Sequence, residues 1–140
     1  MLGGLLLCVS ACGCSLGQER SLAIAKAFLV AHGMEVVREP ERPVVQKVEA
    51  KKLHPMQVAA WDLQQKHFGT RLADYEGREV HYCTFIVRWH PIISRCAAEG
   101  VQEAQVTVWV TDGKVIGGIS MPVGPRGEVY TGLGYPLLGP

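Results

Sequence analysis

Four side chains able to bind a metal or carry thiol chemistry fall between positions 81 and 96: His81, Cys83, His90 and Cys96. His81 and Cys83 are two residues apart, so a strand would put both on one face. With His90 and Cys96 nearby, that makes a four-ligand zinc set geometrically conceivable. The same residues allow a thiol nucleophile, Cys83 or Cys96, with His81 or His90 as its base. They also allow a Cys83–Cys96 disulfide in an oxidising compartment. The plainer alternative is a buried thiol that packs as a small apolar side chain. A further pair, Cys12 and Cys14, flanks Gly13 and can hold a thiophilic metal, although zinc motifs usually space their cysteines more widely.

Other catalytic arrangements find little support. Ser94 and Ser120 lack the glycine-flanked strand-turn-helix setting of an activated serine. Gly117-Gly118 sits in a strand pattern, and Gly124 to Gly134 precedes no helix, so no glycine loop is placed to cradle a phosphate. No cofactor is expected, and no catalytic or metal residue is assigned.

The N-terminus carries a different kind of chemistry. Met1 to Val9 is nearly all apolar, and Val9-Ser10-Ala11-Cys12 places small residues before a cysteine. A signal peptidase requires an apolar stretch followed by small side chains. Residues 1–14 therefore read as a lipoprotein signal with Cys12 as the lipidation site, and 15–140 as the domain it anchors. The charged n-region is missing, which a start site placed too far downstream accounts for; a buried helix opening at Leu5 to Val9 is the competing reading. A spanning helix needs about 20 apolar residues, and Glu19 and Arg20 arrive too soon for one.

Composition limits the partners. The chain has 140 residues, 48% of them hydrophobic and 19% charged, which suits one folded domain with one modest core. A net charge of +1 and the absence of any basic cluster argue against nucleic acid.

Periodicity supplies the elements that must position these groups. Ser15 and Gln18 have capping-box spacing, and Leu22, Ala25, Phe28 or Leu29, and His32 follow at helical steps to a stop at Gly33. Short β-branched runs at Met34 to Val37 and Val44 to Val48 are interrupted by Pro40 and Pro43, as suits an edge. Pro55 opens a second helix that closes at Gly69. From Glu79 the period becomes two, with Val80, Tyr82, Thr84 and Ile86 on one face and His81, Cys83, Phe85, Val87 and Trp89 on the other. Ile92 to Gly100 reads as a loop. Ala104 to Val110 alternate as a half-buried strand, and Asp112-Gly113 predicts a tight hairpin turn with Val110 opposite Val115 and Trp109 opposite Ile116. Gly117-Gly118 in the return strand predict a bulge or a helix lying close, with ligand approach the less favoured reading. After Met121 the chain is rich in Gly and Pro.

In order and spacing, the Trp61-Asp62-Leu63-Gln64-Gln65-Lys66 helix, the segment Leu72-Ala73-Asp74-Tyr75-Glu76-Gly77-Arg78 and the hairpin Asp112-Gly113-Lys114-Val115-Ile116-Gly117-Gly118 resemble a family of small lipoproteins from Firmicute-type bacteria, a domain of unknown function. The resemblance covers about Leu22 to Leu133. It implies an acidic residue after the two glycines and another two positions beyond the helix-ending glycine. Those places hold Ile119 and Arg71 here, so it brings no metal-binding carboxylates and no catalytic residues.

These readings converge on an α+β domain, two helices packed on one face of an antiparallel sheet of three to five strands. The function they favour is a non-enzymatic, extracytoplasmic module anchored to the membrane through lipid. It would bind a protein, peptide or envelope component through the strand face of Gln105, Thr107 and Trp109, an exposed tryptophan being a common anchor. Burial of Trp109 under the C-terminal segment is the competing reading. A small thiol-dependent hydrolase and a metal-binding lipoprotein are the alternatives from other classes.

Overall fold

The computed structural model describes residues 8–130 and 134–139 of the 140, with side chains described from Leu16 onward. Its fold is α+β, with two long helices packed on an antiparallel sheet. Helix α1 is Cys8–Ala31, β1 Glu35–Arg38, β2 Val44–Lys47 and α2 Pro55–Phe68. Strand β3 follows at Glu79–Arg88, then α3 Pro91–Arg95, β4 Glu103–Thr111, β5 Lys114–Val123 and β6 Tyr135–Pro136.

Each boundary has a local cause. The backbone turns left-handed at Gly33 (φ +81°) after α1 and at Gly69 (φ +69°) after α2, a conformation that is cheap only without a Cβ. Pro55 occupies the first turn of α2, and the His54 ring accepts the Met56 N–H while Gln57 accepts the His54 N–H. Asp112 and Gly113 both take positive φ, 50° and 72°, which gives the mirror-image turn that matches strand twist.

The expected cap at Ser15 is not where α1 begins. That residue lies inside a helix already formed at Cys8, and α1 runs across the boundary placed between positions 14 and 15. Met1 to Leu7 lie outside the described residues. Among the described residues, no helix is long and apolar enough to cross a membrane.

The sheet has six strands in the order β1-β3-β4-β5-β6, with β2 also pairing β3. The count exceeds five because β1 and β2 share one edge of β3, paired with its C-terminal and N-terminal halves respectively. Tyr135-Pro136 adds a short sixth strand to Ile119 and Ser120 on the other side. The hairpin register places Val110 opposite Val115 as expected, but a bulge after Trp109 brings that residue opposite Gly117 rather than Ile116.

The two helices build two cores. Ala25 and Leu29 of α1 pack on Cys83, Phe85, Val87, Val106 and Val108, the larger cluster. Phe85 and Leu29 are essentially fully buried, each contributing about 1.5–3 kcal/mol by area. Helix α2 lies along β5, and its Trp61 joins Val48, Val80, Trp109 and Ile116 in the smaller cluster.

Gln64 of α2 and Thr70, just past its C-terminal end, also close the outer edge of β5. Gln64 Oε1 accepts the Gly118 N–H at 2.7 Å, and Thr70 Oγ1 donates to the Ile116 carbonyl at 2.5 Å. They replace the strand that β6 is too short to supply. A Cβ on Gly117 would run into the Gln64 side chain, and one on Gly118 into the Thr107 carbonyl and Leu137. The paired glycines are thus explained by a bulge and by a helix lying close.

Candidate functional site

Folding separates the four ligand-type residues that the sequence brings near one another. His81 shares the α1 face of β3 with Cys83, and its Nδ1 lies 2.8 Å from the Ser21 hydroxyl of α1. Cys83 is completely buried in the larger apolar cluster, and burial pushes its thiol up to about 12. A thiol so placed is protonated at any ordinary pH and does not act as a nucleophile.

His90 lies just past the other end of β3. Its Nε2 meets the Leu137 carbonyl at 2.7 Å and its Nδ1 accepts the Ile92 N–H at 3.0 Å, so the ring is neutral with the proton on Nε2. Burial lowers its pKa, and the bond to Leu137 offsets part of that shift. The residue caps α3 and ties down the C-terminal segment. Cys96 is buried just after α3. Cys83 and Cys96 are both free thiols, so the candidate disulfide is not formed. Both belong to the larger apolar cluster, Cys83 from mid-strand and Cys96 from just past α3. Among the described residues, no group of three or more His, Cys, Asp or Glu gathers as a metal site.

The strand face proposed as a partner surface needs a correction at its centre. Trp109 is only 4% exposed, because Trp61 of α2 stacks against it at 4.9 Å and Tyr82 meets it edge-on at 5.3 Å. Helix α2 covers it, not the C-terminal segment. Gln105 and Thr107 are half-buried on the same face. Thr107 and the rim of Trp109 line a half-open groove of ≈ 310 Å³ with Leu53, Met56 and Ile119.

Trp89 is the tryptophan that reaches solvent. It is 74% exposed and adopts φ +66°, a conformation that is a true outlier for a bulky side chain. It lies just past the end of β3, where the chain turns sharply to let His90-Pro91 start α3. Its indole N–H donates to Glu35 Oε2 of β1 at 3.1 Å. Beside the ring runs a half-open groove of ≈ 590 Å³ floored by Pro91, Ile93, Ala97 and Val101, with Arg88 at its rim. Alternation gave no hint of this residue, since the strand pattern simply ran through it. The available signal was a large aromatic directly before His90-Pro91, where a strand must become a helix.

At the opposite end of β3, a cleft of ≈ 510 Å³ opens between α1 and the β4–β5 turn. Arg20, Ser21, Arg78, Glu79, His81 and Asp112 line it. Arg78 pairs with Asp112 at 2.5 Å and lies over the Tyr75 ring at 5.5 Å. Cys12 belongs to the α1 backbone, and its side chain lies outside the described residues. In comparisons with known proteins, no family model, no curated protein and no solved structure matches this chain.

Proposed function

We propose that this chain is a non-enzymatic binding module, held outside the cell by acylation of Cys12, that docks an acidic and apolar peptide segment of a protein partner on Trp89. The observation that carries the reading is an indole 74% exposed on a backbone at φ +66°. Holding a bulky residue there costs about 1–3 kcal/mol, and such strain clusters at binding sites. Tryptophan is the residue type most enriched among interface anchors.

The surroundings fit a peptide. The groove beside the indole is apolar along its floor and large enough for two or three side chains. Arg88 at the groove rim meets Glu103 only loosely, at 3.7 Å. An exposed guanidinium at the rim of an apolar groove favours a segment that carries a carboxylate next to its apolar residues. The anchor reading rests on the run Val9-Ser10-Ala11-Cys12. The thiol alternative has against it a buried Cys83 whose thiol is pushed up to about 12.

Selection from a displayed library of random short peptides tests the surface. Acidic, apolar sequences are the expected winners, and Trp89→Ala is expected to abolish their binding while Gln105→Ala leaves it intact. Peptides that bind Trp89→Ala as well as the parent chain refute the assignment. Metabolic labelling with a fatty-acid precursor and cell fractionation test the anchor: Cys12→Ala loses label and membrane association. A variant that remains equally membrane-bound removes it.

A further inference from the structure

The geometry points to a second binding site, in the cleft between α1 and the β4–β5 turn, for a small zwitterion carrying an ammonium and a carboxylate, such as a free amino acid. This site is independent of the Trp89 surface. The ten residues of β3, about 3.3 Å each, separate the two.

Charge on the cleft walls is balanced but incompletely paired. Arg20 and Arg78 face Glu79 and Asp112. Arg78 is already committed to Asp112 at 2.5 Å and to the face of Tyr75. Arg20 has no carboxylate within 4 Å, and Glu79 no cation within 4 Å, among the described residues. One free cation and one free anion therefore share a cleft without meeting each other. A ligand with both charges would satisfy the two at once, whereas a simple anion or cation would leave one facing the other's partner.

Neutral groups supply the rest of the site. The Arg20 guanidinium lies against the hairpin turn, its Nη2 3.3 Å from where a Cβ on Gly113 would stand. The Ser21 hydroxyl is buried on the cleft wall, and its 2.8 Å bond to His81 Nδ1 orients the imidazole. A carboxylate seated on the Arg20 fork comes within reach of this pair, and the ammonium end faces Glu79. The cleft volume of ≈ 510 Å³ exceeds the need of the charged ends, leaving room for a side chain.

The test is an NMR titration of the full chain with L-alanine, followed at the Ser21 amide and the His81 ring, with acetate and ethylammonium as half-ligands. The expected result is saturable binding of L-alanine, tighter than that of either half-ligand. Arg20→Gln and Glu79→Gln should each weaken it about tenfold or more, the loss expected when one charge-assisted hydrogen bond goes. Both residues are exposed, so neither variant threatens folding, and Arg95→Gln is expected to bind as the parent does. The proposal is overturned if L-alanine gives no saturable shift, if acetate binds as tightly, or if Arg20→Gln and Glu79→Gln bind unchanged.

Discussion

Replacing Gln64 by Met isolates the interaction that closes the outer edge of β5. Gln64 is 1% exposed and sits on α2 with its amide directed at the sheet. Its Oε1 accepts the Gly118 N–H at 2.7 Å while its Nε2 donates to the Ala60 carbonyl at 2.9 Å. Methionine keeps the length and most of the volume of the side chain, so packing over Gly117 survives. What is lost is the acceptor for a buried amide proton. Strand β6 pairs only Ile119 and Ser120, so no neighbouring strand takes over the Gly118 N–H. The Ala60 carbonyl keeps its helical donor, which limits the damage to one orphaned group. Leaving one buried donor unsatisfied costs about 1–3 kcal/mol. At roughly 3 °C per kcal/mol for a domain of this size, Tm should fall by about 3–9 °C. Scanning calorimetry measures the drop, and amide exchange locates it, with Gly118 losing protection before its β4-facing neighbours. An unchanged Tm together with a Gly118 amide as protected as before would refute the idea that α2 side chains stand in for a strand.

Three further outcomes follow from the same packing. Gly118→Ala should destabilise by about 3 kcal/mol or more in urea unfolding, since its Cβ meets the Thr107 backbone carbonyl and Leu137 rather than a flexible tip; full stability would mean that the β4–β5 ladder yields there. Burial holds the His90 pKa below the unfolded value of about 6.5, so between those two values the unfolded chain binds the proton first. The stability associated with neutral His90 is complete above about pH 6.5 and declines as the pH falls below it, and the urea-midpoint profile of His90→Gln should lack that decline; parallel profiles would refute the assignment. Trp89→Gly should raise stability by roughly 0.5–1 kcal/mol, because relief of the left-handed strain exceeds the added unfolded-state entropy, while abolishing peptide binding; a loss of stability would show that the indole is held for packing.

Local signals carried far into this fold because each acts through its own backbone. Gly33 and Gly69 mark helix ends through φ values that other residues resist, and Asp112-Gly113 sets a turn whose twist fixes Val110 against Val115. None of these needs knowledge of a distant neighbour. The first helix was legible at its C-terminal end and not at its beginning, since a run of small residues from Cys8 to Ser15 satisfies both a signal sequence and a helix. The segment after Pro91 read as a loop because a five-residue helix is too short to establish a period.

The functional surface was harder to read, and the three tryptophans say why. Alternation put Trp109 with Gln105 and Thr107 on one face of its strand, yet what covers Trp109 is Trp61, from a helix that the sequence places almost fifty residues earlier. A period assigns a side chain to a face; exposure depends on whether another element comes to lie there. Trp89 presents the converse case. It continues the alternation of β3 on the core-facing side, and only the sharp turn that lets His90-Pro91 cap α3 swings it out to solvent. The buried pair and the exposed single ring thus exchange the roles that their strand positions suggest, and strain at φ +66° identifies the second where hydrophobic pattern misassigned the first. Ser21 and His81 make the same point for polar groups. They are sixty residues apart, lie on a helix and a strand, and become a hydrogen-bonded pair on the wall of one cleft only because α1 crosses β3 there.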